Sequence, residues 1–170
     1  MLDSGSPSGE EAIAHQREVQ GLISSMGYVV TEMPNPTCPY DILISKRSGS
    51  GLVLSGIAEI KSRTRAGNKD LTIDYLNNEG GYLISMDKIE SGRKASKYLG
   101  VPFFIIVKLV STGDVVCWKV TDADGSLIEE VSGRVSQTRA TVNGGVANRE
   151  NAFLSTNSKN FFILEQGTRS

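Results

Sequence analysis

The stretch CPYDILISKRSGSGLVLSGIAEIKSRTR, from Cys38 to Arg65, contains two apolar runs that predict β-strands. The first strand, residues 40–45, has Asp41 near its start, and the second, residues 52–61, has Glu59 near its end. The turn-forming sequence KRSGSG lies between them, so the two strands are expected to form a hairpin. A hairpin brings the start of its first strand beside the end of its second, and Asp41 and Glu59 are therefore expected to lie close together.

Side chains alternate along a strand, so Glu59 and Lys61 are expected to face one side of the sheet. The other side is expected to carry the core residues Leu52, Leu54, Ala58 and Ile60. Carboxylates from Asp41 and Glu59, with the backbone carbonyl of Ile60, form an oxygen set that suits Mg²⁺ or Mn²⁺ better than zinc. A metal held in this way can assist hydrolysis of a phosphodiester. Lys61 would then orient the attacking water or stabilise the oxygens of the phosphodiester. In the alternative interpretation, Glu59 and Lys61 form a solvated strand face and Asp41 is a turn residue.

Composition limits the class of protein. A chain of 170 residues with 39% hydrophobic residues is expected to fold as one domain with its own core. The net charge of -1 gives no overall attraction to nucleic acid, so any such binding needs a local basic patch. Cys38 and Cys117 lie in or beside apolar runs and are expected to be buried free thiols. We expect a cytoplasmic protein with no membrane segment, because no apolar run is long enough to span a bilayer.

The order of predicted elements is helix, three strands, helix, two strands, which indicates an α/β domain with a mixed central sheet flanked by helices. Residues 1–9 are expected to be a flexible leader, residues 10–120 the core domain, and residues 121–170 a C-terminal extension packed on the same domain. The extension is expected to hold loops, one short helix or strand, and a closing strand around residues 160–165. The other strands are expected at residues 28–32, 40–45, 52–61, 103–110 and 114–120, the helices at residues 10–26 and 86–99, and a polar loop at residues 62–74.

The first predicted helix carries further acids. Its apolar stripe is expected to consist of Ala12, Val19, Leu22, Ile23 and Met26. Glu18 lies at the margin of this stripe, where a helix carboxylate must lie to reach a buried site, and Glu11 is a weaker substitute two turns away. The single histidine, His15, falls on the apolar face and is expected to be a packing residue rather than a general base.

Four segments together, REVQGLISSMGYVV, PYDILI, IAEIKSRT and GVPFFIIVKL, resemble the PD-(D/E)xK nucleases, which have the restriction-endonuclease-like fold. Within that superfamily the chain is most similar to the archaeal Holliday junction resolvases. The resemblance implies that Asp41 and Glu59 hold the metal, that Lys61 assists the nucleophile, and that Glu18 helps to bind a second metal or its water. The chain departs from the pattern where Tyr40 separates Pro39 from Asp41, and in its tail beyond residue 120.

Basic residues follow the second acidic strand and recur on the second predicted helix. They are expected to contact the phosphates of a nucleic acid, and each has the alternative of a merely solvated side chain. The residues are Arg63, Arg65, Lys69, Arg93, Lys94 and Lys97.

Together these features predict a metal-dependent DNA endonuclease. Both structure-selective cleavage, as in a junction resolvase, and site-specific cleavage, as in a restriction enzyme, occur on such a fold. A homodimer would place two sites on two strands, although no sequence feature requires one. The alternatives are a non-catalytic nucleic-acid-binding module and an RNA-directed nuclease.

Overall fold

A computed structural model describes residues 8–128, 131–137 and 148–167. This part of the chain is an α/β structure with a mixed central sheet. Its helices are α1 (Gly9–Ser25), α2 (Ile73–Glu79) and α3 (Met86–Leu99). Its strands are β1 (Val29–Glu32), β2 (Ile42–Ser48), β3 (Gly51–Arg63), β4 (Arg65–Ala66), β5 (Lys69–Asp70), β6 (Gly81–Ser85), β7 (Phe103–Leu109), β8 (Asp114–Lys119), β9 (Val131–Gln137), β10 (Asn148–Ser155) and β11 (Phe161–Glu165).

The central sheet has six strands in the order β1-β2-β3-β7-β8-β11. The pair β3 and β7 is parallel, and the other neighbours are antiparallel, which confirms the predicted mixed sheet. The parallel pair needs a crossover connection, and α3 lies within that connection. A second sheet has the order β6-β10-β9, and β4 pairs with β5 in a small hairpin.

The β2-β3 hairpin forms as predicted but with a shorter turn, because β2 continues to Ser48 and β3 begins at Gly51. Ile44 pairs with Gly56 and Ser45 pairs with Leu54, so β3 carries a bulge in which Ser55 is the extra residue. Because of this extra residue, the side chains of β3 that precede Ser55 face the opposite sides from those expected. The prediction that Leu52 and Leu54 share a face with Ala58 and Ile60 is therefore wrong: Leu54 packs in the cluster that contains Ile57, and Leu52 is exposed.

The sheet is covered on both faces. On one face, Val19 and Ile23 of α1 pack against Ala58, Ile60 and Ile106. On the other face lies the larger cluster, to which α2, α3, β6 and β10 all contribute buried residues. The side of β3 that carries Glu59 and Lys61 is thus largely covered, because the second sheet and α3 lie over it. Of the predicted stripe on α1, Val19 and Ile23 are buried, whereas Met26 is exposed.

The prediction that residues 62–74 form a polar loop is wrong. This region contains the end of β3, the β4-β5 hairpin and the beginning of α2. Thr72 caps α2 by accepting a hydrogen bond from the backbone N–H of Tyr75 at 3.0 Å. Leu71, Ile73 and Leu76 are buried, and their spacing is hard to recognise because charged and amide residues surround them.

Both ends of the chain extend beyond the described residues. Ser8 caps α1, which begins at Gly9, one residue before the predicted helix. The closing strand is confirmed as β11, whereas two further strands, β9 and β10, replace the single short element expected before it. Of the predicted leader, residues 1–7 lie outside the described part, as do residues 129–130, 138–147 and 168–170 of the predicted extension. No helix in the described part is long and apolar enough to cross a membrane.

Helix α3 approaches β7 closely because residue 92 is a glycine. A Cβ atom at Gly92 would overlap the ring of Phe103. Overpacking costs about 1–3 kcal/mol or more, whereas alanine gains only about 1 kcal/mol over glycine in a helix. Gly92→Ala is therefore expected to lower the free energy of unfolding by about 2 kcal/mol in urea denaturation. Ser91→Ala is the control, since Ser91 is exposed on the same helix, and an equal loss in the control would contradict this account of α3 packing.

Candidate active site

Glu59 lies at the centre of the site and is only 2% exposed. Two lysines contact the same oxygen, Oε1, with Lys61 Nζ at 2.5 Å and Lys88 Nζ at 3.2 Å. Lys61 is on β3 with Glu59 and faces the same side, as the alternation of the strand predicts. Lys88 belongs to the first turn of α3. A buried carboxylate needs partners of opposite charge, and here it receives them from a strand and a helix.

Asp41 directly precedes β2 and meets β3 where the regular pairing of the two strands ends. Its backbone N–H donates to Ala58 O at 2.8 Å, and its carboxylate Oδ2 accepts from Ile60 N at 2.7 Å. Burial raises the pKa of Asp41, and the nearby Glu59 carboxylate raises it further, while the Ile60 hydrogen bond and both lysines partly oppose the shift. The structure thus brings Asp41 and Glu59 within electrostatic reach, as the hairpin predicts.

The donor set fits magnesium better than zinc. Among the described residues, no group of three or more His, Cys, Asp or Glu side chains is placed to hold a metal ion. Magnesium is commonly bound through only one or two carboxylates, together with water and substrate phosphates. Asp41 and Glu59 supply such a pair, and a divalent cation between them would relieve the repulsion that raises the pKa of Asp41.

The raised pKa of Asp41 predicts a pH-dependent effect on stability. Because the folded protein holds this proton more tightly than the unfolded chain, ionisation of Asp41 lowers the free energy of unfolding as pH rises above the ordinary pKa of 3.8. Asp41→Asn cannot ionise, and its amide oxygen can still accept from Ile60. Its stability relative to the wild type is therefore expected to increase as pH rises from the ordinary pKa toward the raised pKa of Asp41. Urea denaturation at a series of pH values measures this difference. The exposed Asp70→Asn is the control, and a relative stability that falls with pH would contradict the assignment.

The structure does not bring Glu18 to this group. Its carboxylate contacts Lys108 Nζ, lies 3.9 Å from His15 Nδ1, and is 58% exposed. Helix α1 covers the face of the sheet that carries Ile60, whereas Glu59 faces α3 on the other side. Glu11, the substitute for Glu18, forms a capping box with Ser8 at the start of α1.

His15 is partly buried, with a pKa lowered first by burial and second by the positive charge of Lys108. Neutral imidazole is thus favoured, in keeping with a packing residue. Both cysteines are free thiols as predicted. Cys117 is buried and burial raises its pKa to about 12, whereas Cys38 is only half-buried.

The six basic residues that are predicted to contact phosphates do not all line one cavity. Arg63 and Arg65 line a cavity of about 520 Å³ that Lys61 and Lys88 also line. Arg93 instead donates from Nε to Gly125 O at 3.1 Å, and therefore holds a loop against α3. Five residues correspond to about 140° around a helix, so Arg93 and Lys88 flank the buried face of α3 on opposite margins. The remaining three, Lys69, Lys94 and Lys97, are exposed.

Lys88 is the residue that sequence reasoning missed. It immediately precedes Ile89, the first buried residue of α3. This position at the margin of an apolar face is the only signal in the sequence. It becomes informative only when α3 is packed against the strand that carries Glu59.

Comparisons of the chain with family models, curated proteins and solved structures found no match. A function must therefore be inferred from the side chains around Glu59.

Proposed function

We propose that this chain is a metal-dependent nuclease that hydrolyses phosphodiester bonds of DNA. The observation that carries the proposal is the buried carboxylate of Glu59, which lies near Asp41 and is contacted by Lys61 and Lys88. Burying a carboxylate close to a second carboxylate is unfavourable for folding, and such arrangements concentrate at functional sites.

In this proposal Asp41 and Glu59 would hold Mg²⁺ or Mn²⁺, with the Ile60 carbonyl as a further oxygen ligand. The bound cation would lower the pKa of a coordinated water and neutralise charge that develops on the phosphodiester. Lys61 donates to a phosphate oxygen or orients the attacking water, because its ammonium group is held beside Glu59. Lys88 adds a second positive charge at the same carboxylate and helps to hold the scissile phosphate.

The proposed fold family is that of the restriction endonucleases. Support comes from the β2-β3 hairpin with its acids, from α3 as the crossover into parallel β7, and from α1 on the opposite face. Structure-selective cleavage, as in the Holliday junction resolvases that the sequence resembles, is our first choice, and site-specific cleavage is the alternative on this fold. A homodimer would serve either mode, because two sites related by a two-fold axis can cut two strands.

The second candidate is a nucleic-acid-binding module without catalysis. It is favoured by the partners that both acids already have, since Asp41 accepts from Ile60 and Glu59 accepts from two lysines. In such a module these contacts would serve stability alone, and no divalent cation would be needed.

A requirement for divalent metal separates the two candidates. Labelled four-way junctions, linear duplexes and RNA of matched sequence are incubated with the protein in Mg²⁺, Mn²⁺, Ca²⁺ or excess chelator. Cleavage of DNA is expected in Mg²⁺ and Mn²⁺ only, whereas Ca²⁺ is expected to support binding without turnover because it activates water poorly. Asp41→Asn, purified in the same way, controls for contaminating nucleases. Cleavage that persists in chelator contradicts the proposed function, and binding without cleavage in every metal selects the second candidate.

A further inference from the structure

Beside the proposed metal site lies a cavity of about 520 Å³, within the range of roughly 300–1,000 Å³ that is typical of small-ligand sites. Lys61 and Lys88 form the part of its lining that contacts Glu59. A ligand in the cavity would therefore extend directly from a phosphate held at the proposed catalytic centre.

The cavity lining combines positive charge with aromatic rings. Arg63 and Arg65 add to the two lysines, and among the described residues Glu79 is the one carboxylate that lines the cavity. Within the part of the chain that the structure describes, the ion-pair partner of Arg65 is the exposed Asp70 at the long distance of 3.9 Å, so its guanidinium is open to another anion. The aromatic side chains in the lining include Tyr75, Tyr82 and Phe153. Tyr82 and Phe153 are buried, and Tyr82 stacks on Trp118, whereas Tyr75 is only partly buried. Cations that bind phosphate and rings that stack on a base are the two features of a site for single-stranded nucleic acid.

We propose that this cavity binds one unpaired nucleotide of the DNA strand next to the cleaved bond, an inference that rests on the nuclease function proposed above. Arg63 and Arg65 bind its phosphate, and Tyr75, which is only partly buried, contacts its base. A base that enters such a cavity has to leave its partner, as in enzymes that extrude a nucleotide from the duplex. The substrates would therefore be DNA with unpaired nucleotides at the cleavage position, such as branch points, bulges or single strands, rather than uninterrupted duplex.

A second cavity supports a strand path across this site. It measures about 380 Å³, and its lining includes Cys38, Pro39 and Ser91. Ser85 and Lys88 line both cavities, so the two meet at the first turn of α3. A strand that runs from one cavity to the other would carry a phosphate past Lys88, beside Glu59.

The first experiment measures nucleotide binding without metal and without turnover. Titration calorimetry of the full chain in chelator uses deoxyadenosine 5′-monophosphate, deoxyadenosine and inorganic phosphate. The monophosphate is expected to bind at least about tenfold more tightly than either fragment. Arg65→Ala is expected to weaken binding of the monophosphate about tenfold, because the substitution removes a charge-assisted hydrogen bond. Absence of monophosphate binding overturns the proposal.

Two further variants locate the bound nucleotide. Tyr75→Leu keeps an apolar side chain in the lining but removes the aromatic ring. It is expected to weaken binding of the monophosphate and of deoxyadenosine, and to leave binding of phosphate unchanged. Arg17→Ala is the matched control, because Arg17 is an exposed cation on α1, which covers the opposite face of the sheet. Equal weakening of monophosphate binding in the Arg17 and Arg65 variants would mean non-specific attraction and would overturn the proposal.

The second experiment tests the substrate class. Fluorescence anisotropy in Ca²⁺ compares a duplex with the same duplex that carries one unpaired adenine. The bulged duplex is expected to bind at least about tenfold more tightly, with the preference lost in Tyr75→Leu. Equal affinity, together with cleavage of uninterrupted duplex in Mg²⁺, overturns this inference and leaves the nuclease proposal intact. Nucleotide binding and bulge preference with no cleavage in any metal would support the cavity assignment and reject the nuclease.

Discussion

Replacing Glu59 with glutamine is expected to lower the rate of DNA cleavage in Mg²⁺ by about 10³-fold or more, because the proposed cation would be held by this carboxylate and both lysines contact it. Glutamine has nearly the same shape but carries no charge, so the metal site would lose half of its anionic ligands. The measurement is single-turnover cleavage of a labelled junction. Metal binding by calorimetry is expected to weaken in parallel, which distinguishes a lost ligand from a lost proton acceptor.

The matched control for Glu59→Gln is Glu10→Gln. Glu10 is an exposed carboxylate in the first turn of α1, which packs on the face of the sheet opposite Glu59. It is expected to leave the cleavage rate within about twofold of the wild type, since surface substitutions away from the site have small effects. Urea denaturation checks that both variants fold. Wild-type cleavage by Glu59→Gln, or an equal loss in the Glu10 variant, would remove the basis for the assignment.

The part of the site that the sequence predicts is the part built by local geometry. Asp41 and Glu59 are 18 residues apart, yet a single hairpin brings them together. The two apolar runs and the turn residues between them predict that hairpin. Lys61 follows from alternation along one strand. The end of α3 at Leu99 was also predictable, because Gly100 provides the left-handed C-cap, with φ of 69°, and Pro102 lies just beyond it.

The features that sequence reasoning missed depend on contacts between distant segments. Lys88 reaches Glu59 only because α3 packs closely across β7 through Gly92, and no local pattern specifies that approach. The bulge in β3, beside Gly56, moves Leu54 to the other face, and a glycine inside a strand does not by itself specify where a bulge forms. The strand β10 pairs with β6, some seventy residues earlier, and such pairing depends on tertiary packing more than on local propensity.

Glu18 illustrates the limit of helical periodicity. The apolar stripe of α1 correctly identifies Val19 and Ile23 as buried, but it does not specify which face of the sheet the helix will cover. Because α1 packs on the face opposite Glu59, the carboxylate at the margin of the stripe meets Lys108 of β7. A role for Glu18 at a second metal therefore remains a prediction from resemblance, with no support from the contacts of this side chain.

Lys61→Met is expected to lower kcat/KM by about 10²–10³-fold, the usual cost of removing one preorganised donor from a charged transition state. Lys88→Met is expected to cost about tenfold. The ranking follows from geometry, because Lys61 is closer to Oε1 and 24% exposed, whereas Lys88 is 44% exposed and better solvated. Lys159→Met is the control, since Lys159 is an exposed lysine in the turn between β10 and β11.

The double variant tests whether the two lysines act as a unit. Both contact one oxygen of Glu59, so either can move toward the place of the other, and groups that share a partner are not additive. The loss in Lys61→Met/Lys88→Met is therefore expected to exceed the product of the single losses, while binding of Mg²⁺ by calorimetry persists in all three variants. A loss in Lys88→Met greater than that in Lys61→Met would assign the main catalytic role to the helix lysine. Strictly multiplicative losses would show that the two ammonium groups contact the phosphodiester independently, and the shared contact with Glu59 would then have no part in catalysis.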